Sequence, residues 1–258
     1  MSKNLKKIIK NIRINILKKT FQAQSSHIGS CFSIVELLSV LYFKKLKKND
    51  TFILSKGHAA LALYCLLYER KMLSKSELDN YGKNNSNLMA HASHRVNGIE
   101  FSTGSLGHGL PYAVGKALGE KKNKSKNNVY VLISDGELNE GTTWESFLFA
   151  SFHKLNNLFI IIDYNKIQSL DFVKNVMKIE PLEKKLTSFN LNVKKINGHD
   201  VSQIDSAINQ LNKQNDKPNI IIANTVKGKG VGFMENTILW HYKSPSNEQL
   251  ELALKELK

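Results

Sequence analysis

Val129-Tyr130-Val131-Leu132-Ile133-Ser134-Asp135-Gly136 is the stretch that decides the fold. An unbroken apolar run that stops at Ser-Asp-Gly reads as a strand buried on both faces, and such strands belong to parallel sheets. A second run, Leu158-Phe159-Ile160-Ile161-Ile162-Asp163, leads to Asn165. Trp144 to Leu155 between them reads as the crossover helix. A strand–helix–strand unit brings the ends of both strands to one sheet edge, where open α/β folds bind ligands. Asp135 and Asn165 then offer two hard oxygen donors to one divalent cation. A cation with so few protein ligands completes its shell with phosphate oxygens and water, as Mg²⁺ does. The expectation is a metal-bridged diphosphate site.

Working outward, alternating helices and strands recur on both sides. Leu5, Ile8, Ile9, Ile12 and Ile16 mark one face of a helix over 4–19. Helices are expected over 33–43 and 58–69, the latter apolar nearly all round and therefore buried. Ser74-Lys75-Ser76-Glu77 has the form of a capping box and starts a short helix ending near Gly82. Residues 84–103 are a long polar loop, and a loop of that length inside a compact domain is usually functional. A helix over 110–121 precedes the 129–133 strand. The irregular stretch 164–180 is followed by a strand over 192–196, a helix over 201–213, a strand over 219–224 and a helix from Asn247 to Leu257 capped by Ser246. The fold expected is α/β, a mostly parallel sheet with helices on both faces.

The bulk properties exclude several classes. The chain has 258 residues, 41% of them hydrophobic and 23% charged, ordinary values for a globular protein. No stretch approaches the roughly 18 apolar residues of a membrane span. Lys10, Asn11, Arg13, Asn15, Lys18 and Lys19 interrupt any secretory apolar region near the start. Cys31 and Cys65 have no metal-type spacing, and a cytoplasmic location is the default. The net charge of +15 rests on 34 lysines and only three arginines, Arg13, Arg70 and Arg95. Sequence-reading proteins favour the bidentate arginine fork, so the charge reads as a solvated basic face or as steering of anionic substrates, not as nucleic-acid binding.

Gly104-Ser105-Leu106-Gly107-His108-Gly109 precedes a helix and offers backbone N–H groups to a phosphate. Glu140 and Glu145 follow Asp135 at five and ten residues. His27, His58, His91, His108 and His241 stand in Gly-, Ser- or Ala-flanked contexts, which points to a polar pocket that handles protons and hydroxyls near neutral pH. No histidine pair has zinc spacing. There is no Walker A loop, nucleophile elbow or dinucleotide fingerprint.

These segments, taken in order, resemble the thiamine-diphosphate-binding N-terminal part of the transketolase family, and above all the stand-alone N-terminal subunit of split bacterial transketolases. The matching blocks are Ser26-His27-Ile28-Gly29, Leu54-Ser55-Lys56-Gly57-His58, His91, 102–109, 134–141, 163–167, Gly198-His199-Asp200, 227–231 with 233–236, and Trp240-His241. The resemblance implies that Asp135, Asn165 and the Ile167 carbonyl hold Mg²⁺ (Ca²⁺ or Mn²⁺ as alternatives) on the diphosphate. It gives Gly104, Leu106, Gly136, His58 and His241 to cofactor binding. It gives His27, His91 and His241 to catalysis on the sugar, with Glu140 in a carboxylate network that reaches a partner. The implied reaction moves a two-carbon ketol unit from a ketose to an aldose.

The family's activating glutamate lies on a pyrimidine-binding domain. That domain and the C-terminal domain are expected to be absent from a single domain over 1–258. Activity therefore requires a partner subunit, in an α2β2-type assembly that works on sugars or sugar phosphates, with neither nucleic acid nor membrane involved. Ser134 stands where the family has Gly, His108 where it has Gln, Ala90-His91-Ala92 in place of Gly-His-Pro, and Tyr242 where Gly is common. The alternatives are a specialised ketol or acyl transferase in unusual-sugar biosynthesis, a 2-oxo-acid dehydrogenase-type α chain, and a non-catalytic scaffold of the same fold.

Overall fold

A computed structural model describes residues 3–211 and 216–257. Five strands form one sheet: β1 Thr51–Leu54, β2 Val129–Ser134, β3 Leu158–Tyr164, β4 Asn192–Asn197 and β5 Asn219–Asn224. Their order across the sheet is β1-β2-β3-β5-β4, and every pairing is parallel. The helices are α1 Lys3–Ala23, α2 Ile28–Phe32, α3 Val35–Val40, α4 Ala60–Glu69, α5 Lys75–Asp79, α6 Gly109–Lys122, α7 Gly141–Phe152, α8 Val173–Val176, α9 Leu182–Ser188, α10 Val201–Leu211 and α11 Asn247–Glu256.

Two cores explain the continuous apolar runs. Val129, Val131, Ile133, Leu158, Ile160 and Ile162 pack on one face of the sheet with Leu110 and Ala113 of α6, Phe147 of α7 and Leu186 of α9. Tyr130, Leu132, Phe159 and Ile161 pack on the other with α1, α3, α4 and α10. Alternate side chains point to opposite faces, so both must be apolar when both are covered. Each fully buried large aliphatic side chain contributes about 1.5–3 kcal/mol. All ten apolar residues named from β2 and β3 are at most 3% exposed, and so these strands anchor the fold.

The expected α/β architecture is the observed one. The capping boxes at Ser74 and Ser246 form with both reciprocal bonds. The differences are local. Strand β1 was not expected; four residues beside Lys47, Lys48 and Asp50 carry little signal, and pairing with β2 makes them a strand. The helix expected over 33–43 is instead α2, α3 and a wide π turn over Leu41–Lys45. The crossover helix starts at Gly141 and ends at Phe152, three residues early at each end. The irregular stretch holds α8 and an antiparallel bridge between Ile167 and Phe172. The last two residues of the helix expected over 201–213 lie outside the described residues.

Candidate cofactor site

Strands β1, β2, β3 and β5 all end at one edge, and a cavity of about 420 Å³ opens there. Its walls include Asp135, Gly136 and Glu140 from beyond β2, and Asn165, Ile167 and Gln168 from beyond β3. His27, His58, His91, Gly104, Leu106, Lys227 and His241 also line it. The sequence-predicted site residues are therefore brought together at one place. His108 and Glu145 do not line it; His108 is exposed, and its Nδ1 turns back to 3.0 Å from the Leu106 carbonyl.

The loops that carry these groups are held locally. Asp135 is 2% exposed, and its carboxylate accepts from the backbone N–H of Gly136 at 2.8 Å and of Lys166 at 2.6 Å. The second bond ties the ends of β2 and β3 together. Asn165 Nδ2 donates to Asp163 at 2.9 Å, and its Oδ1 accepts from the Ile167 N–H at 3.1 Å. Gly107 has φ +80°, a conformation glycine adopts without cost, and its N–H donates to Glu137 Oε1 at 3.0 Å. Ser55 Oγ donates to the same oxygen, so the glycine turn is fastened to the ends of β1 and β2. A Cβ at Gly57 would lie 2.4 Å from the Thr103 carbonyl oxygen, so glycine there is what lets the turn approach.

Charge is distributed unevenly across the cavity. Asp163 is fully buried and accepts from Lys56 Nζ at 2.5 Å, from Ser33 at 2.8 Å and from Thr225. Burial works against its charge, but Lys56 prevails and holds the carboxyl below the usual range. Asp135 forms no ion pair among the described residues, and burial, with Asp163 nearby, raises its carboxyl to about 7. Lys227 is 1% exposed; burial and Lys56 bring its ammonium down to about 8. It donates to the carbonyls of Ile167 at 3.1 Å and Gln168 at 3.3 Å, and lies 2.9 Å from His241 Nδ1.

The histidines form a cluster. The His27 ring stands 5.4 Å from His58, 5.7 Å from His91 and 4.9 Å from His241. Burial, aided by the neighbouring lysines and histidines, depresses His27 to about 4 and His241 to about 3, and puts His58 well below the usual value. Burial lowers His91 too. All four rings are neutral near pH 7. An ammonium donating to His241 Nδ1 leaves the ring proton on Nε2. His27 has φ +73°, unusual for a residue with a side chain, and its N–H donates to the His241 carbonyl at 2.8 Å.

Lys56, Asp163 and Lys227 were not anticipated as site residues. Both lysines stand beside glycines in blocks that the resemblance covers, but neither was given a role there. A lysine directly beyond an apolar strand, as Lys227 is beyond β5, was the available signal. Of the departures from the family pattern, Ser134 lines the cavity, whereas His108 and Tyr242 lie outside its lining. Tyr242 is 58% exposed with its ring 4.8 Å from that of His241, and Ser134 Oγ accepts from the Glu137 N–H at 3.2 Å.

Comparison with known proteins agrees with this geometry. Residues 4–256 match the family described as transketolase, thiamine diphosphate binding domain. The chain is 42% identical over 242 residues to an apulose-4-phosphate transketolase subunit of Actinobacillus succinogenes, covering 90% of this chain and 87% of that one. It is 36% identical to a 6-deoxy-6-sulfo-D-fructose transketolase subunit of a Clostridium species, covering 90% and 88%. The crystal structure of Campylobacter jejuni transketolase shares 29% identity and a TM-score of 0.90; all of this chain spans 43% of that one.

Proposed function

This chain belongs to the transketolase family through its thiamine-diphosphate-binding domain, and on that premise we propose that its strand-edge cavity is half of the active site, completed by a partner subunit. The chain is a transferase subunit of the split transketolase type. One observation carries the reading of the site. Asp135 is a buried carboxylate with no ion pair among the described residues, and it shares its cavity with Asn165 and Ile167.

That donor set suits a hard divalent cation. It offers carboxylate, carboxamide and carbonyl oxygens, and among the described residues no three His, Cys, Asp or Glu side chains group as a transition-metal site. Asp135, Asn165 and the Ile167 carbonyl would hold Mg²⁺, and Lys227 would face the remaining charge of the diphosphate. Gly104, Leu106 and Gly136 would line the cofactor. Thiamine diphosphate, when bound, supplies the nucleophilic carbon that carries a two-carbon ketol unit from a ketose to an aldose. His241 Nε2–H is then a donor for a sugar oxygen on which charge develops. His27 and His91, neutral and adjacent, accept and return hydroxyl protons. Glu140, exposed at the start of α7, would reach towards the partner as part of a carboxylate network.

The relatives' names carry phosphate or sulfo groups, which favours a ketose with an anionic terminus as substrate. A partner is supported by α7, where Leu148, Phe149 and Phe152 are 59%, 44% and 82% exposed. Three large apolar side chains on one exposed helix face mark an interaction surface. Calorimetric titration of the assembled protein with thiamine diphosphate and Mg²⁺ tests the site. Asp135→Ala should abolish metal-dependent binding, because it removes the charged oxygen ligand of the cation. Unchanged affinity would remove Asp135 from it.

A further inference from the structure

Gly198-His199-Asp200 lies outside the cavity, yet its histidine is wired to the segment that carries Lys227. Arg13 is 6% exposed and grips Glu36 with both guanidinium ends, at 2.7 and 2.8 Å. Its Nε donates to the Lys229 carbonyl at 2.9 Å. Glu36 also meets His199, whose Nδ1 lies 3.0 Å from Oε2. On the far side of the ring, Nε2 accepts from the Val226 N–H at 2.8 Å. An accepting Nε2 places the ring proton on Nδ1, where it donates to Glu36.

Lys227 is thus flanked on both sides, by a backbone bond from Val226 to His199 and one from Arg13 to Lys229. The approach of the two turns is tight. A Cβ at Gly198 would lie 2.4 Å from Thr225 Cγ2, and one at Gly230, with φ +102°, would lie 3.1 Å from Arg13. A lysine stem is flexible, so its ammonium has a defined place only if its backbone does.

We propose that Arg13, Glu36 and His199 form a clamp that sets the backbone of residues 226–229 and so aims the Lys227 ammonium into the cavity. His199 is a positioning residue: it touches neither cofactor nor substrate and acts through Lys227. The inference rests on the reading that Lys227 faces the diphosphate.

Two conservative variants separate the bonds of the ring. His199→Asn keeps a donor near Nδ1 for Glu36 and loses the acceptor for Val226. His199→Gln places an acceptor near Nε2. In calorimetric titrations of the assembled protein with thiamine diphosphate and Mg²⁺, His199→Asn should weaken affinity about tenfold, as loss of an outer-shell partner does. His199→Gln should recover most of it. In a Lys227→Met background, His199→Asn should have no further effect, because the clamp then has nothing to aim. Arg13→Lys should follow the same pattern, which keeps the test open if His199→Asn does not fold.

If the parent protein binds the cofactor and Lys227→Met weakens binding, but the His199 effect multiplies with that of Lys227→Met, the clamp is only structural and the inference falls. If Lys227→Met leaves affinity unchanged, the reading of Lys227 falls first.

Discussion

Glu36 shows how a single buried charge is made stable here, and the same side chain gives a measurable pH dependence. Burial pushes its carboxyl up, but the Arg13 guanidinium and His199 outweigh burial and hold it at about 2, against an ordinary 4.5. An acid depressed by folding stabilises the fold where it is ionised in both states, above 4.5. The contribution drains as pH falls from 4.5 towards 2. Its full size is on the order of 3 kcal/mol. Urea melts of the parent protein should therefore lose stability on acidification more steeply than those of Glu36→Gln. Parallel losses would show that Glu36 is not the group responsible. At this scale the place of Asp135 and Asn165 in the cavity was legible, because each follows an apolar run. Lys56 and Asp163 were not: their pairing joins residues 107 apart in the chain.

Helix α7 makes the point for elements. Its inner face carries Phe147 and Ala150 into the core, while Leu148, Phe149 and Phe152 face outward. An outward aromatic contributes little to the fold of the single chain. Phe152→Lys should leave the unfolding free energy of this chain within about 0.5 kcal/mol of the parent's, as surface substitutions do. It should weaken assembly with the partner subunit in size-exclusion chromatography; unchanged assembly would place the partner elsewhere. Elements with a strong period or cap, such as α1, α10 and the Ser74 and Ser246 starts, were readable in advance. Strand β1 was not, because four residues hold too little pattern and only the neighbouring β2 makes them extended.

For the molecule as a whole, the parallel sheet determines where chemistry can occur, since β1, β2, β3 and β5 all release their chains at one rim. The relatives that this chain nearly spans are subunits, whereas it spans about two fifths of the solved transketolase. Ketol transfer between a ketose and an aldose should therefore need this chain, its partner, thiamine diphosphate and Mg²⁺ together. A coupled assay that omits one component at a time checks this, and turnover by this chain without the partner would refute it.

The sequence by itself determined the α/β class, and it singled out two metal-donor candidates and five histidines of which four line the cavity, because apolar runs, turn residues and ordered blocks are local. Only the tertiary structure decided that Lys227 stands against Ile167 and His241, that Asp135 lacks an ion pair while Asp163 has one, and that His199 reaches Val226. Those facts depend on which distant side chains share a desolvated space, and burial and charge pairing in that space are not encoded at any one position.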